Sequence, residues 1–129
     1  MELPFTKTAH QVYDEHMEQI KLADDIGFNA CWLTEHHFSS VPYVPDVDVE
    51  YGICPSPLAV ACAVAQATTN LRIGLAIKIL PLEHPLRTAE DAAVADILSG
   101  GRLDFGVGLG YRKYEFDGEE LTQSVLLAK

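Results

Sequence analysis

Residues 71–80 read LRIGLAIKIL, and this run decides the fold. It is nearly all apolar, as a strand should be when both faces of its sheet are covered. The polar triplet Thr68, Thr69 and Asn70 ends a helical pattern just before the run, and Pro85 begins another just after it. A buried strand between two helices is the repeating step of a parallel α/β fold.

Helices and strands alternate on both sides of this run. The helix starts are marked by Thr8, which has Gln11 at capping-box spacing, by the pair Ser56–Pro57, and by Pro85. The predicted strands are residues 29–35, 71–80 and 103–107. Because the connections are mostly short, we expect three neighbouring parallel strands, joined by right-handed crossovers, with helices on one face.

The third helix should run from Pro85 to the glycine pair at residues 100–101. One side of it is apolar, with Leu86, Ala89, Ala93 and Ile97 at helical spacing. Arg87 and Asp91 lie four residues apart and should form an ordinary ion pair of structural rather than catalytic significance.

The composition narrows the classes of protein to which the chain can belong. Asp and Glu outnumber Lys and Arg by 19 to 9, for a formal charge of −10, which argues against nucleic acid or anionic membrane as a partner. No stretch reaches the ~18 apolar residues of a membrane span, and the N-terminus lacks the apolar core of a signal peptide. Cys31, Cys54 and Cys62 form no CxxC pair, so we expect reduced thiols in a soluble cytoplasmic protein.

Residues 32–38, WLTEHHF, place ionisable groups where a predicted strand ends. In parallel α/β folds this C-terminal edge carries the active-site residues. Because strand side chains alternate, His36 should point to the face opposite His37 and Glu35. From the residues alone, a half-buried, hydrogen-bonded histidine is the simpler interpretation of His36.

Two other kinds of site fit the sequence poorly. Adjacent strand histidines diverge, and His10, His16 and His84 show no ligand spacing, so we predict no metal site. Residues 106–110, GVGLG, lack the spacing of a dinucleotide fingerprint, and residues 111–114 are a poor start for the helix that such a fingerprint needs. These glycines fit better at the end of a strand.

One connection is long. Residues 39–55 contain three prolines and show neither helical nor strand periodicity. Because a long loop at the catalytic end of a strand more often shapes a pocket than fills space, we expect this one to shape a substrate pocket. Disorder is the alternative.

Three segments of the chain carry a family resemblance. They are residues 22–38 (LADDIGFNACWLTEHHF), 73–91 (IGLAIKILPLEHPLRTAED) and 98–116 (LSGGRLDFGVGLGYRKYEF). In this order and spacing they resemble the bacterial luciferase-like family of flavin-dependent monooxygenases, which also includes deazaflavin-dependent relatives. Only the two ends of the chain lie outside the resemblance.

The resemblance implies a (β/α)8 barrel, which needs about 250 residues. The predicted fold class is therefore α/β, a partial TIM barrel of about three parallel strands with alternating helices. We expect the single domain of residues 1–129 to hold strands two to four, with the first strand and the C-terminal half missing and the tail after Phe116 departing from the family. Open sheet edges should promote self-association or marginal stability.

The resemblance also implies a site. It places His36 beside the reactive edge of the flavin, as the catalytic residue that transfers protons or steadies the substrate. We group five residues around the cofactor: Glu35, His37, Ala76, Ile77 and Gly108. Among them, Glu35 and His37 should orient the strand end through hydrogen bonds. The Ala76–Ile77 peptide should lie beneath the flavin ring, with a non-prolyl cis bond as an option.

Two positions depart from the family pattern. Lys78 stands where an aliphatic residue is usual, and a cation inside a barrel is costly unless it is paired. Leu109 stands where many relatives carry an arginine for the flavin phosphate, and Arg112 is either a partial substitute or a solvated charge.

The activity that the resemblance implies is oxidation of a small organic substrate by O2 and reduced flavin. FMN is the expected flavin, supplied by a separate flavin reductase. Three alternatives stay open: an inactive truncated fragment, a non-catalytic flavin-binding subunit, and an oxidoreductase that uses the deazaflavin F420. For the 129-residue chain alone we expect little or no turnover.

Overall fold

The computed structural model describes residues 7–37, 54–111 and 115–117. Its elements, in chain order, are α1 (Ala9–Asp25), β1 (Ala30–Leu33), α2 (Pro57–Ala67), β2 (Arg72–Ile79), α3 (Pro85–Ser99) and β3 (Leu103–Gly108), with a short 3₁₀ turn at Leu80–Leu82. The strands lie in the order β1-β2-β3, and both pairs are parallel. The predicted parallel α/β unit with neighbouring strands is confirmed.

Local signals explain where the helices begin and end. The capping box at the start of α1 is present, since the Gln11 N–H donates to Thr8 Oγ1 at 3.2 Å and the Thr8 N–H donates to Gln11 Oε1 at 2.9 Å. Pro57 opens α2 as predicted, although the Ser56 side chain makes no capping hydrogen bond. Gly100, with φ 68°, ends α3 in the left-handed conformation that glycine adopts without a steric penalty.

The core lies between the helices and one face of the sheet. Its centre is the almost fully buried pair Ile73 and Leu75 of β2, packed with Leu33 of β1 and with Leu58 and Val64 of α2. Helix α2 contacts α1, α3 and β2. This central position explains why its sequence is apolar nearly all round.

The apolar side of α3 does not face this core. Leu86 is 60% exposed and Ile97 is 76% exposed, whereas the buried residues of the helix are Thr88, Ala95 and Ser99. These three side chains are small, so they let the helix backbone approach α2 and the sheet closely. Small residues give a weak periodic signal, because hydrophobicity rather than size marks a buried stripe in a sequence.

Two charged side chains secure the turns at the amino-terminal end of β2. Asp24 accepts the N–H groups of Thr69, Asn70 and Leu71 at 2.6, 3.0 and 2.8 Å. These hydrogen bonds, with that of Thr69 the largest contribution, lower the pKa of the Asp24 carboxyl. The Arg102 guanidinium donates to four carbonyl oxygens: that of Ala65 in α2, those of Thr68 and Leu71 between α2 and β2, and that of Ser99 at the end of α3.

The other face of the sheet is open among the described residues. Trp32 is 60% exposed there, and its ring lies so close to Gly74 that a Cβ on Gly74 would be 2.3 Å from Trp32 Cε3. Phe105 and Val107 are also exposed on β3. Within the described part of the chain, none of the helices has the length and apolar character needed to cross a membrane.

Candidate functional site

A cavity of about 360 Å³ lies at the C-terminal edge of the sheet. Its lining residues come from the segment after β1, from β2, and from the segments after β3: Thr34, Glu35, His36, Ala76, Ile77, Ile79, Gly110, Tyr111 and Glu115. Four of the six residues assigned to the site from the sequence, Glu35, His36, Ala76 and Ile77, are thus brought together around one cavity. His37 and Gly108 lie beside it rather than in its lining.

His36 lies three residues beyond the end of β1, which is shorter than the predicted strand of residues 29–35. Its N–H donates to the carbonyl oxygen of Cys54 at 3.1 Å in an isolated antiparallel bridge. Its Nδ1 is 3.7 Å from Glu115 Oε1. The His36 side chain is 19% exposed and lines the cavity, so a bound molecule can reach it.

His37 is held by two carboxylates. Its Nε2 is 2.7 Å from Glu35 Oε1, and its backbone N–H donates to Glu115 Oε1 at 3.0 Å. An ionised carboxylate only accepts hydrogen bonds, so Nε2 carries a proton in this contact. Glu35 thus orients His37 through a hydrogen bond, and His36 rather than His37 lines the cavity, although Glu35, expected on the face opposite His36, lines the same cavity.

Glu35 is 2% exposed and is surrounded by donors. Besides His37, it accepts from Lys78 Nζ at 2.6 Å and from the Ile79 N–H at 2.7 Å. Burial raises the pKa of the Glu35 carboxyl. The hydrogen bonds from His37, Lys78 and Ile79, together with the Lys78 charge, outweigh burial, and the net pKa lies below its ordinary value.

Lys78 is 1% exposed and lies between two carboxylates. Its Nζ is 2.6 Å from Glu35 Oε1 and 2.7 Å from Glu83 Oε1, and Glu83 also accepts from Thr88 Oγ1 at 3.0 Å. The pairing of β2 with β3 shifts register between Leu75 and Lys78, and both of these side chains are buried although they lie three positions apart. Lys78 therefore pairs with Glu35 and Glu83, as a cation inside a barrel requires, and it is not among the residues that line the cavity.

The Ala76–Ile77 peptide is cis, as the resemblance allowed. Ala76 is exposed and Ile77 half-buried at the cavity. A Cβ on Gly108 would lie 2.2 Å from Ile77 Cδ1, so the missing side chain of Gly108 leaves the space that Ile77 occupies. Gly110, with φ 72°, reaches the cavity itself.

Sequence reasoning missed Glu115 and Tyr111. Glu115 is 1% exposed, yet it bonds the His37 N–H and lies near His36. A usable signal was present, since both residues follow a predicted strand at the edge where catalytic groups gather. Arg112 and residues 39–53 of the predicted pocket-shaping loop lie outside the described residues.

The cavity suits a flat, partly apolar ring. Its volume falls within the roughly 300–1,000 Å³ of small-molecule sites. Ala76, Ile77 and Ile79 supply apolar lining, while His36 and Glu115 supply polar groups. No Lys or Arg is among its described lining residues, so these residues fit an isoalloxazine ring better than its phosphate tail. The described residues also contain no group of three or more His, Cys, Asp or Glu side chains arranged to hold a metal ion.

Comparison with protein families gives one broad match. A family model described as luciferase-like monooxygenase matches residues 2–124. The match extends past Phe116, so it includes most of the tail that was expected to depart from the family.

Two curated relatives and two solved structures illustrate the similarity. The oxygenase component of a flavin-dependent trigonelline monooxygenase from Acinetobacter baylyi is 33% identical over 86% of this chain and 28% of that protein. The alkanal monooxygenase alpha chain of Photorhabdus luminescens is 32% identical over 84% of this chain and 28% of that protein. A monooxygenase from Streptomyces bottropensis superposes with a TM-score of 0.81 at 32% identity, over 92% of this chain and 33% of that one. A coenzyme F420-dependent tetrahydromethanopterin reductase from Methanopyrus kandleri gives a TM-score of 0.61 at 30% identity, over 82% of this chain and 26% of that one.

The chain therefore spans about 28% of the length of these curated relatives. Its three strands and alternating helices correspond to part of the TIM barrel of the structural neighbours.

Proposed function

We propose, since the chain belongs to the luciferase-like monooxygenase family, that it contributes the His36 edge of an active site that oxidises a small organic substrate with O2 and reduced flavin. One observation supports this most strongly: His36 and the Ala76–Ile77 peptide, which lie far apart in the sequence, border the same cavity. In the overall reaction one oxygen atom enters the substrate and the other leaves as water, while the reduced flavin leaves oxidised.

The roles we assign follow from the contacts. Reduced flavin supplies the two electrons that activate oxygen. Ala76 and Ile77 offer a small, apolar surface on which the ring can rest. His36, directed into the cavity, holds or transfers a proton there, and an imidazole can do either near neutral pH. Glu35, in the cavity lining, and His37, beside it, support this arrangement through their hydrogen bond.

FMN, delivered reduced by a separate reductase, is the cofactor we propose. The trigonelline enzyme is flavin-dependent and is the oxygenase component of its system, and it is one of the relatives nearest in sequence. The substrate class remains a small organic molecule of a size that the cavity accepts.

A second candidate is an F420-dependent oxidoreductase on the same barrel. The similarity to the reductase from Methanopyrus kandleri favours it, although that superposition is less close than the one with the monooxygenase from Streptomyces bottropensis. The two candidate functions differ in their use of O2. A monooxygenase consumes O2 in every turnover, whereas an F420-dependent hydride transfer does not.

Flavin binding is the first test. Trp32 is the only tryptophan in the chain and lies on the open face of the sheet, so bound flavin should quench its emission. Titration with FMN and with F420 shows which cofactor binds. Comparison with riboflavin, which lacks the phosphate, shows how much of the affinity comes from the ring and how much from the phosphate tail. Absence of quenching by all three contradicts the proposal.

Turnover is the second test, in a form of the protein that carries a complete barrel. Oxygen uptake with reduced FMN, measured with and without a panel of small organic substrates, should rise with one of them. Binding without substrate-dependent oxygen uptake indicates a non-catalytic flavin-binding subunit instead.

A further inference from the structure

Lys78 is unusual because it is a buried cation next to the candidate site but outside the cavity lining. Its side chain is 2% exposed, and its ammonium group lies between Glu35 and Glu83. A buried ion pair of this kind rarely adds net stability over an apolar replacement. Stability alone therefore does not explain why a lysine occupies this buried position.

A continuous line of contacts runs from α3 to the histidine pair. Thr88 donates to Glu83, Glu83 pairs with Lys78 at 2.7 Å, and Lys78 pairs with Glu35 at 2.6 Å. Oε1 of Glu35 is the atom that contacts both Lys78 Nζ and His37 Nε2. The position of that one oxygen is thus shared between the lysine and the histidine.

We propose that Lys78 is a positioning residue for the histidine pair. By fixing Glu35 Oε1, it fixes the ring of His37, the residue next to His36 of the cavity lining. Lys78 is not among the residues that line the cavity, and its contact with Glu35 is the route by which it reaches His37. Its consequence for turnover rests on the function proposed above, whereas its effect on the His37 ring does not.

The physical argument concerns what happens to Glu35 without its cation. A carboxylate that is buried and has lost its counter-charge either takes up a proton or turns toward water. Both changes remove the fixed acceptor of the His37 Nε2–H. The backbone of the pair would still be held by two hydrogen bonds, from the His36 N–H to Cys54 and from the His37 N–H to Glu115. Loss of Lys78 should therefore loosen the ring rather than unfold the segment.

Histidine NMR tests this directly. The chain has five histidines, which ¹⁵N labelling resolves and single His→Gln variants assign. In the parent protein the His37 Nε2–H should be protonated and protected from exchange with water. In Lys78→Met its exchange should become at least about tenfold faster, since a part-buried hydrogen bond to a fixed carboxylate is lost.

The spectrum carries its own controls. His10 and His16 lie on α1 and should not respond to Lys78→Met. Lys21→Met, which removes an exposed lysine paired with Glu18 on α1, should leave the His37 proton unchanged. Equal protection of the His37 proton in the parent and in Lys78→Met overturns the proposal.

A second variant covers the case in which Lys78→Met does not fold. The double variant Lys78→Met/Glu35→Gln removes both charges together and leaves no unpaired buried ion. The matched comparison is Glu35→Gln alone, in which Lys78 can still donate to the amide oxygen at position 35. Positioning by Lys78 predicts faster exchange of the His37 proton in the double variant than in Glu35→Gln, and equal exchange in the two overturns the proposal.

Turnover separates this inference from the proposed function. In an active full-length form, Lys78→Met should lower kcat by about tenfold or more with little change in KM, the pattern for a group that positions a proton-transfer residue. Loss of His37 protection in a protein that binds no flavin would leave the positioning role standing and contradict the function. Unchanged protection of the His37 proton in Lys78→Met, in a protein with normal flavin-dependent turnover, would contradict the positioning role and leave the proposed function standing.

Discussion

Lys78 Nζ lies 2.6 Å from Glu35 Oε1, and both side chains are almost completely withdrawn from water. The two residues belong to adjacent strands of the sheet or their continuations, and each has further partners, so the pair joins β2, the end of β1 and the start of α3. The C-terminal edge of the sheet is consequently held by charge as well as by apolar packing.

This pair makes stability depend on acidic pH. The unfolded Glu35 carboxyl titrates at its ordinary pKa of 4.5, and the folded pKa is lower. The folded state therefore binds fewer protons, and the stabilisation is complete above pH 4.5 and is lost as the pH falls through the folded pKa. Free energies of urea unfolding, measured between about pH 6 and about pH 3, should decline less steeply for Glu35→Gln than for the parent. Glu90→Gln, in an exposed ion pair, should retain the parent slope.

Removing the cation alone should be costly. Lys78→Met leaves a buried carboxylate without its counter-charge, which typically destabilises by about 3–5 kcal/mol. Replacing both partners, in Lys78→Met/Glu35→Leu, should recover most of that loss in urea unfolding, because neither position then holds an unpaired buried charge. Lys21→Met should change stability by less than about 0.5 kcal/mol. If Lys78→Met and the double variant lose the same free energy of unfolding, the unpaired charge of Glu35 is not the cause of the loss.

The features that the sequence predicted are those with local causes. The apolar run of β2, the capping box at Thr8 and the glycine stop at Gly100 each act within a few residues, so their patterns are readable in one dimension.

What escaped prediction depends on contacts between distant residues. Lys78 and Glu35 are 43 positions apart in the sequence, and Glu115 is 78 positions from His37, whose backbone N–H donates a hydrogen bond to it. A single sequence shows the charges of such residues but not which partners they find. The buried side of α3 escaped for another reason, since Thr88 and Ser99 are small and polar and do not mark a buried stripe.

Arg102 should be among the costlier surface-adjacent residues to replace. Its guanidinium donates to several carbonyl oxygens between α2 and β2, including those of Ala65 and Leu71 at 2.8 Å each. Arg102→Met leaves these acceptors without their donor, and we expect a loss of about 2–4 kcal/mol in urea unfolding. Arg87→Met breaks only exposed ion pairs and should cost less than about 0.5 kcal/mol. If Arg102→Met and Arg87→Met lose similar free energies of unfolding, the hydrogen bonds of Arg102 do not contribute specially to stability.

Gly108 should control the position of Ile77. In Gly108→Ala the new methyl group would lie 2.2 Å from Ile77 Cδ1, so Ile77 must move, and overpacking of this kind costs about 1–3 kcal/mol. Movement of Ile77 at the cavity wall should also weaken quenching of Trp32 by FMN. Gly108→Ala/Ile77→Ala restores the space and should recover stability relative to Gly108→Ala, with Ile77→Ala alone as the control. Failure of the double variant to recover would mean that the glycine serves a different purpose.

The histidine pair supplies the test of chemistry. In a full-length, active form, His36→Ala should lower turnover by roughly 10²-fold or more, the scale for loss of a proton-transfer group. His37→Ala should instead reduce folding stability or flavin retention, because its ring contacts Glu35 rather than the cavity. His10→Ala, on the exposed surface of α1, controls for loss of an imidazole as such. Steady-state rates with reduced FMN and O2, compared with urea unfolding of the same variants, separate these effects. If His36→Ala and His37→Ala both keep parental turnover, the histidines are structural and the proton-transfer role of His36 is wrong.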